Sequence, residues 1–199
     1  DVYKRQILAD AVKLAAGVNY RGLGTVEFVV TGDEHYFLEV NPRLQVEHPV
    51  TEEVTGLDLV ELQLHIAATG ALPLAQADVR CSGHAFEARL CAEDADAGFL
   101  PATGQLQVVD FSRSGVRIES GVDSGDDISP HYDSMIAKLI AHGTDREAAR
   151  RALGAGLRAS TVIGLVTNLE FLHELLERPE TRDATFHTRL IDERHAQRG

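Results

Sequence analysis

Cysteine is almost missing from the 199 residues: Cys81 and Cys91 stand alone, outside any Cys-x-x-Cys pair and away from a histidine partner. That excludes a disulfide-stapled scaffold and a thiolate zinc site, and leaves two ordinary thiols in a reducing compartment. The nine histidines are scattered without zinc-like spacing, so no transition-metal site is expected. Positive charge is scarce as well, with 19 Lys and Arg against 31 Asp and Glu and a net charge of −12. Such a balance argues against nucleic acid or an anionic membrane as partner, either of which calls for a basic patch. No run of 18 apolar residues occurs and no signal peptide opens the chain, which gives the expectation of a cytoplasmic protein without a membrane partner. Methionine is limited to Met135, and the chain opens on Asp1. The expectation is therefore a fragment of a longer polypeptide.

What is present is a chain 44% hydrophobic, long enough to bury a core and to hold one large or two small domains. Residues 4–18 predict an amphipathic helix with Leu8, Val12 and Ala15 on its apolar stripe. Asp58 as N-cap with Glu61 three residues on predicts a second helix, with Leu59, Leu62 and Ile66 inward and Gly70 at its end. The segment 71–83, with Pro73, reads as a connection, and a boundary is expected near Val79. Beyond it, HAFEARLCAED alternates with Phe86, Ala88 and Leu90 on one face and Glu87 and Arg89 on the other. QLQVVDF, GVRIES and MIAKLIAHG read as strands. Capping boxes at Thr144/Glu147 and Thr167/Glu170 predict two further helices, the second ending at Pro179. The fold class is α+β.

The chain is organised around residues 24–52. TVEFVV, the turn residues Gly32-Asp33-Glu34 and YFLEV predict a β-hairpin. With a three-residue loop, Val26, Phe28 and Val30 face Val40, Leu38 and Tyr36, Glu27 faces Glu39, and Thr25 faces Asn41. Two carboxylates about 5 Å apart across a strand pair repel by roughly 3 kcal/mol at an effective dielectric near 20. A cation between them would relieve that, and Mg²⁺, which binds through carboxylates and substrate phosphates, is a natural candidate with the Asn41 carbonyl as a further oxygen. The alternative is a pair of solvated acids on an edge. From Glu39 the polar residues continue at every second position, Asn41, Arg43, Gln45 and Glu47, so an extended backbone would send all of them to one face.

GTVEF followed by FLEVNPRLQVEHPVTE resembles the C-terminal half of the ATP-grasp domain of biotin carboxylases, with Arg-Leu-Gln-Val-Glu-His its most specific part. GHAFEAR-x-x-AED, FLP, HYDSMIAKL and TN before a Leu-rich helix resemble the biotin carboxylase C-terminal domain. The resemblance implies residues 1–79 as the C-terminal part of an ATP-grasp domain and 80–199 as the small α+β C-terminal domain. It also implies Glu27, Glu39 and Asn41 on Mg²⁺ or Mn²⁺ bridging to ATP, and Glu47 as base for bicarbonate. Arg43, Gln45 and the Val46 backbone would hold that bicarbonate, and Arg89 would steady the enolate of biotin while N1′ is carboxylated. Implied partners are a biotin carboxyl carrier domain or protein, a carboxyltransferase subunit and a second copy in a homodimer. The context looks most like the α subunit of an acyl-CoA carboxylase; pyruvate or urea as acceptor, another ATP-grasp ligase, and an inactive assembly module stay open as alternatives. Ala95 departs from the family, where proline commonly follows AED. The family's Gly-rich phosphate loop and ATP-binding lysines are not in this sequence, so the fragment alone is expected to be inactive.

Overall fold

The computed structural model describes residues 2–193, with side chains from residue 4 onward; Asp1 and residues 194–199 lie outside that description. Contacts gather into two compact units, residues 1–80 and 81–199.

In the first unit, α1 (Val2–Gly17) precedes a hairpin of β1 (Thr25–Thr31) and β2 (Glu34–Asn41), followed by α2 (His48–Thr55) and α3 (Leu59–Thr69). The less exposed positions of α1 are Ile7, Ala11 and Ala15, whereas Leu8 and Val12 are each 54% exposed. The expected stripe therefore holds at Ala15 and is one residue out at Leu8 and Val12. Asp10, on the same side as Ile7 and Ala11, meets His35 Nε2 of β2 at 2.8 Å, a long-range hydrogen bond on the inward side of the helix. α3 follows expectation: Asp58 accepts from the Glu61 N–H at 2.7 Å and Gly70 ends the helix. Leu59, Leu62 and Ile66 are only half-buried, however, and with Leu14, Val18 and Phe37 they line an open apolar groove of about 640 Å³.

The hairpin departs from the expected register in one informative way. Thr25, Val26 and Glu27 face Asn41, Val40 and Glu39 as the hydrophobic pattern requires. Beyond Glu27 the register shifts by one: Phe28 faces Phe37, Val29 faces Tyr36, Val30 faces His35 and Thr31 faces Glu34. The loop is therefore the two residues Gly32-Asp33, with Gly32 at φ 58°, a conformation glycine adopts without strain. Leu38 is the extra residue of a β-bulge. Phe37 and His35, rather than Leu38 and Tyr36, pack with Phe28 on the apolar face, at ring-centroid distances of 6.4 and 5.5 Å.

In the second unit β3 (His84–Cys91), β8 (Arg117–Ser120) and β10 (Met135–Gly143) form an antiparallel sheet in the order β3-β10-β8. Three short pairs surround it: β4 (Glu93–Asp94) with β5 (Leu100–Pro101), β6 (Gly104–Gln105) with β9 (Asp127–Ile128), and β7 (Val108–Asp110) with β11 (Thr161–Ile163). α4 (Arg146–Ala159) packs on β10 and β3, and α5 (Leu169–Glu177) packs on α4 and β3. Ala88, Leu90, Leu139, Leu153 and Leu157 make the core, as the period-2 pattern of β3 predicts. α5 ends before Pro179, which opens the short α6 (Pro179–Arg182).

Two caps differ from expectation. α4 is capped by Asp145, which accepts from the Ala148 N–H at 2.8 Å, in place of Thr144. Glu147 instead takes the buried Arg150 guanidinium bidentately, at 2.7 and 2.9 Å, and Arg150 also reaches Leu176 O at 2.9 Å and Glu177 at 3.1 Å. α5 begins after Asn168, whose side chain makes no cap bond, and Thr167 Oγ1 only accepts from Leu169 N–H at 3.4 Å.

Candidate functional site

Glu27 on β1 and Glu39 on β2 face each other directly, on the side of the hairpin away from Phe28. Asn41 lies two residues beyond Glu39, hence on the same side. Its Nδ2 donates to Glu27 Oε1 at 2.7 Å and to Glu39 Oε1 at 3.3 Å. Gln45 Nε2 donates to the same Glu27 oxygen at 3.4 Å. One amide group is thus shared by two acids, its positively polarised hydrogens lying where the two negative charges converge. Four side chains with hard oxygen atoms meet there, a donor set suited to Mg²⁺ or Mn²⁺, and turning the Asn41 amide would present its oxygen instead of its nitrogen. The residues fit the ion.

The extended backbone expected through Glu47 is not found. β2 stops at Asn41 because Pro42 has no N–H to give to a ladder. The chain bends at Arg43 and turns at Val46-Glu47, so Arg43, Gln45 and Glu47 do not share a strand face with Glu39. The turn is closed by His48, whose ring Nδ1 lies 2.8 Å and whose backbone N–H lies 3.2 Å from Gln45 O. Glu47 then stands exposed at the N-cap of α2, a helix not expected from the sequence. Its signal was Pro49 within the first helical turn, where proline is favoured. His48 gave no signal of its own, since its partner is a backbone oxygen. Arg43 is exposed and its Nη1 donates to Leu44 O at 3.4 Å. Val46 is half-buried in the turn.

Arg89 belongs to the second unit. It is exposed on β3, directly opposite Lys138 of β10, which in turn faces Glu119 of β8. Lys138 Nζ lies 2.5 Å from Glu119, and Arg117 pairs with the other oxygen of that carboxylate. Burial works against ionisation of Glu119, yet hydrogen bonds and charge from Lys138 and Arg117 hold its carboxyl below the usual range. The polar face of this sheet therefore carries a cation-rich row in which Arg89 stands. Cys91, two residues along the same strand, is pushed up to about 11 by burial and by Glu93, so it is a neutral thiol.

Residues 87–193 match the sequence family described as biotin carboxylase C-terminal domain, and residues 1–75 that described as carbamoyl-phosphate synthase L chain, ATP binding domain. The chain belongs to the biotin carboxylase family. Among the relatives of this biotin carboxylase chain, the mitochondrial methylcrotonoyl-CoA carboxylase subunit alpha of Rattus norvegicus is 46% identical over 195 residues, 96% of this chain and 27% of that protein. The chain thus spans about a quarter of the length of the curated relatives it matches. Among solved structures, Kluyveromyces lactis urea carboxylase is 40% identical with a TM-score of 0.91, covering 96% of this chain and 17% of that one. The biotin carboxylase domain dimer of Hydrogenobacter thermophilus 2-oxoglutarate carboxylase, solved with MgADP, ADP and bicarbonate, is 37% identical with a TM-score of 0.88, covering 92% and 41%. Among the described residues no helix is long and apolar enough to cross a membrane.

Proposed function

We propose that this chain carries the metal-, bicarbonate- and biotin-contacting residues of an ATP-dependent biotin carboxylase that carboxylates N1′ of biotin within an acyl-CoA carboxylase. The observation that carries the reading is the Asn41 amide shared between the facing carboxylates of Glu27 and Glu39. Facing acids are destabilising on a bare strand pair, and their placement makes sense where a cation is held. Glu27, Glu39 and Asn41 would hold Mg²⁺ or Mn²⁺. The ion, when bound, supplies neutralisation of the ATP phosphates.

The remaining roles fall to the segment after β2. Bicarbonate is a planar anion, and the guanidinium of Arg43, exposed at the bend, offers it a bidentate fork. Gln45 and the Val46 backbone would help hold it. Glu47, exposed at the end of the turn, accepts the bicarbonate proton. Arg89 stabilises the enolate oxygen that develops on biotin when N1′ loses its proton. A biotin carboxyl carrier domain or protein brings the biotin, a carboxyltransferase subunit takes the carboxyl group onward, and two copies pair as a homodimer. The acyl-CoA acceptor is supported by the methylcrotonoyl-CoA carboxylase relatives. Cys81 and Cys91 are both free thiols, which supports a reducing compartment, and the cytoplasm is our reading.

The test is phosphate release from Mg-ATP by the full-length reading frame that contains this sequence. Release that needs bicarbonate and rises with free biotin is expected. In Glu47→Gln it should vanish while Mg-ATP still binds, and in Arg89→Ala bicarbonate-dependent cleavage should survive better than biotin carboxylation. Release indifferent to bicarbonate and biotin would overturn the assignment.

A further inference from the structure

β3 is bonded to β10 along one side, and in the order β3-β10-β8 its other side has no neighbouring strand among the described residues. At Arg89 and Cys91 that outer edge is met by one buried residue from a distant part of the chain. Asn168, 6% exposed, accepts the Cys91 N–H on Oδ1 at 2.9 Å and donates from Nδ2 to Arg89 O at 3.1 Å. Its own backbone N–H donates to Cys91 O at 3.1 Å. Three hydrogen bonds thus imitate a strand across residues 89–91.

The same residue sits at the N-cap of α5, where an asparagine side chain ordinarily accepts an N–H of the first turn. Here it makes no such bond. The side chain is committed to β3 at the expense of its own helix, so the constraint it serves lies on the strand. The constrained backbone is that of the residue whose guanidinium is assigned to biotin.

We propose that Asn168 is a positioning residue for Arg89, fixing the β3 backbone so that the guanidinium stands where the biotin oxyanion develops. This rests on the assignment of Arg89 made above. The Arg89 carbonyl is held by the Asn168 amide and the next edge groups by its oxygen and N–H, so the strand cannot shift or twist at this point without breaking a hydrogen bond to a buried side chain. A displacement of about 1 Å at a catalytic group costs on the order of 10²-fold in rate.

The test uses the full-length reading frame and two variants. Asn168→Ala removes both side-chain bonds, whereas Asn168→Asp keeps the acceptor for Cys91 N–H and sets an oxygen against the Arg89 carbonyl. Both are expected to lower kcat/KM for biotin carboxylation by about tenfold or more while bicarbonate-dependent ATP cleavage changes by less than about twofold. In an Arg89→Ala background the same substitutions should add less than about twofold, because the group they position is gone. Equal factors in both backgrounds, or parallel loss of both reactions with Arg89→Ala still selective, would overturn the role of Asn168 alone. An Arg89→Ala variant that loses both reactions equally would instead overturn the assignment of Arg89. A chain that folds with neither Ala nor Asp at 168 would make Asn168 a folding residue and end the proposal.

Discussion

In residues 81–199 six large apolar side chains, Leu90, Leu106, Leu139, Ile140, Leu153 and Leu157, are shielded from solvent to below 2%. Among the described residues of 1–80, only Pro49 reaches that level, and Glu52 is the one other buried side chain. Phe37, Leu38 and Val40 of the hairpin remain 41% to 56% exposed. Most of the proposed chemistry, namely the Glu27–Glu39 pair, Arg43 and Glu47, is carried by the unit with little core. Arg89 stands on the sheet with a strong one. Apolar burial dominates folding energy, so in these 199 residues taken by themselves stability should be concentrated in the second unit.

That contrast is easiest to break with truncations. Leu139→Ala should destabilise the second unit by about 3–5 kcal/mol, because a fully enclosed leucine leaves a cavity. Leu62→Ala, on the open groove, should cost about 1 kcal/mol or less. Denaturant titration read by residue-resolved amide exchange would check both, and equal costs would erase the distinction.

Next in size, Gly164→Ala should cost roughly 2–3 kcal/mol. Its φ is 125°, and an added Cβ would come within 2.2 Å of Gln105 O, a backbone atom that cannot swing away. Gly32→Ala meets no neighbour within 4 Å and bears only the conformational penalty, about 1 kcal/mol. Thermal melts of the two variants rank the units again.

Acid should act on the second unit through Glu147, which the Arg150 hydrogen bonds hold down at about 2 against an ordinary value of 4.5. A carboxyl depressed on folding contributes stability that is fully present above pH 4.5 and fades as pH falls towards 2. Glu147→Gln should therefore flatten the stability profile between those limits and leave it parallel to the parent at neutral pH. A profile unchanged in slope would show that the Arg150 pair is not felt.

The smallest effect has the opposite sign. Glu39→Gln removes one of two facing charges, so without divalent metal the hairpin should gain a few tenths of a kcal/mol, up to about 1 kcal/mol. In the full-length reading frame the same variant should lose the stabilisation expected from Mg²⁺ or Mn²⁺ with nucleotide under the proposed function. Melts with and without metal would show the crossing, and a destabilised metal-free variant would mean that the acids do not repel.

Features decided within a few residues were legible in the sequence. The Asp58–Glu61 cap, the end of α5 at Pro179, the alternating face of β3 and the facing of Glu27 and Glu39 all depend on local spacing or on one hydrophobic pattern. What was missed depends on partners far along the chain. Glu147 was given to a capping box because the sequence does not show Arg150 bridging it to Leu176 O. The α1 stripe was one residue out at Leu8 and Val12, and the sequence does not show that Asp10 of that helix meets His35, 25 positions on. Asn168 passed as one residue of a motif, since its bonds to Arg89 and Cys91 cross 79 and 77 positions. The regular alternation from Glu39 to Glu47 misled because polarity at every second position continues past Pro42, where the strand cannot.

Leu38 sets the phase of the hairpin. It absorbs one residue between the Gly32-Asp33 tip and the paired acids, so the tip and the acid pair belong to different phases of the same ladder. A homologous chain with one more residue at the tip and no bulge would keep Glu27 opposite Glu39 and Thr25 opposite Asn41. The bulge thus uncouples the two ends of the ladder: the charged end keeps its alignment whichever residues the tip sets opposite Phe28.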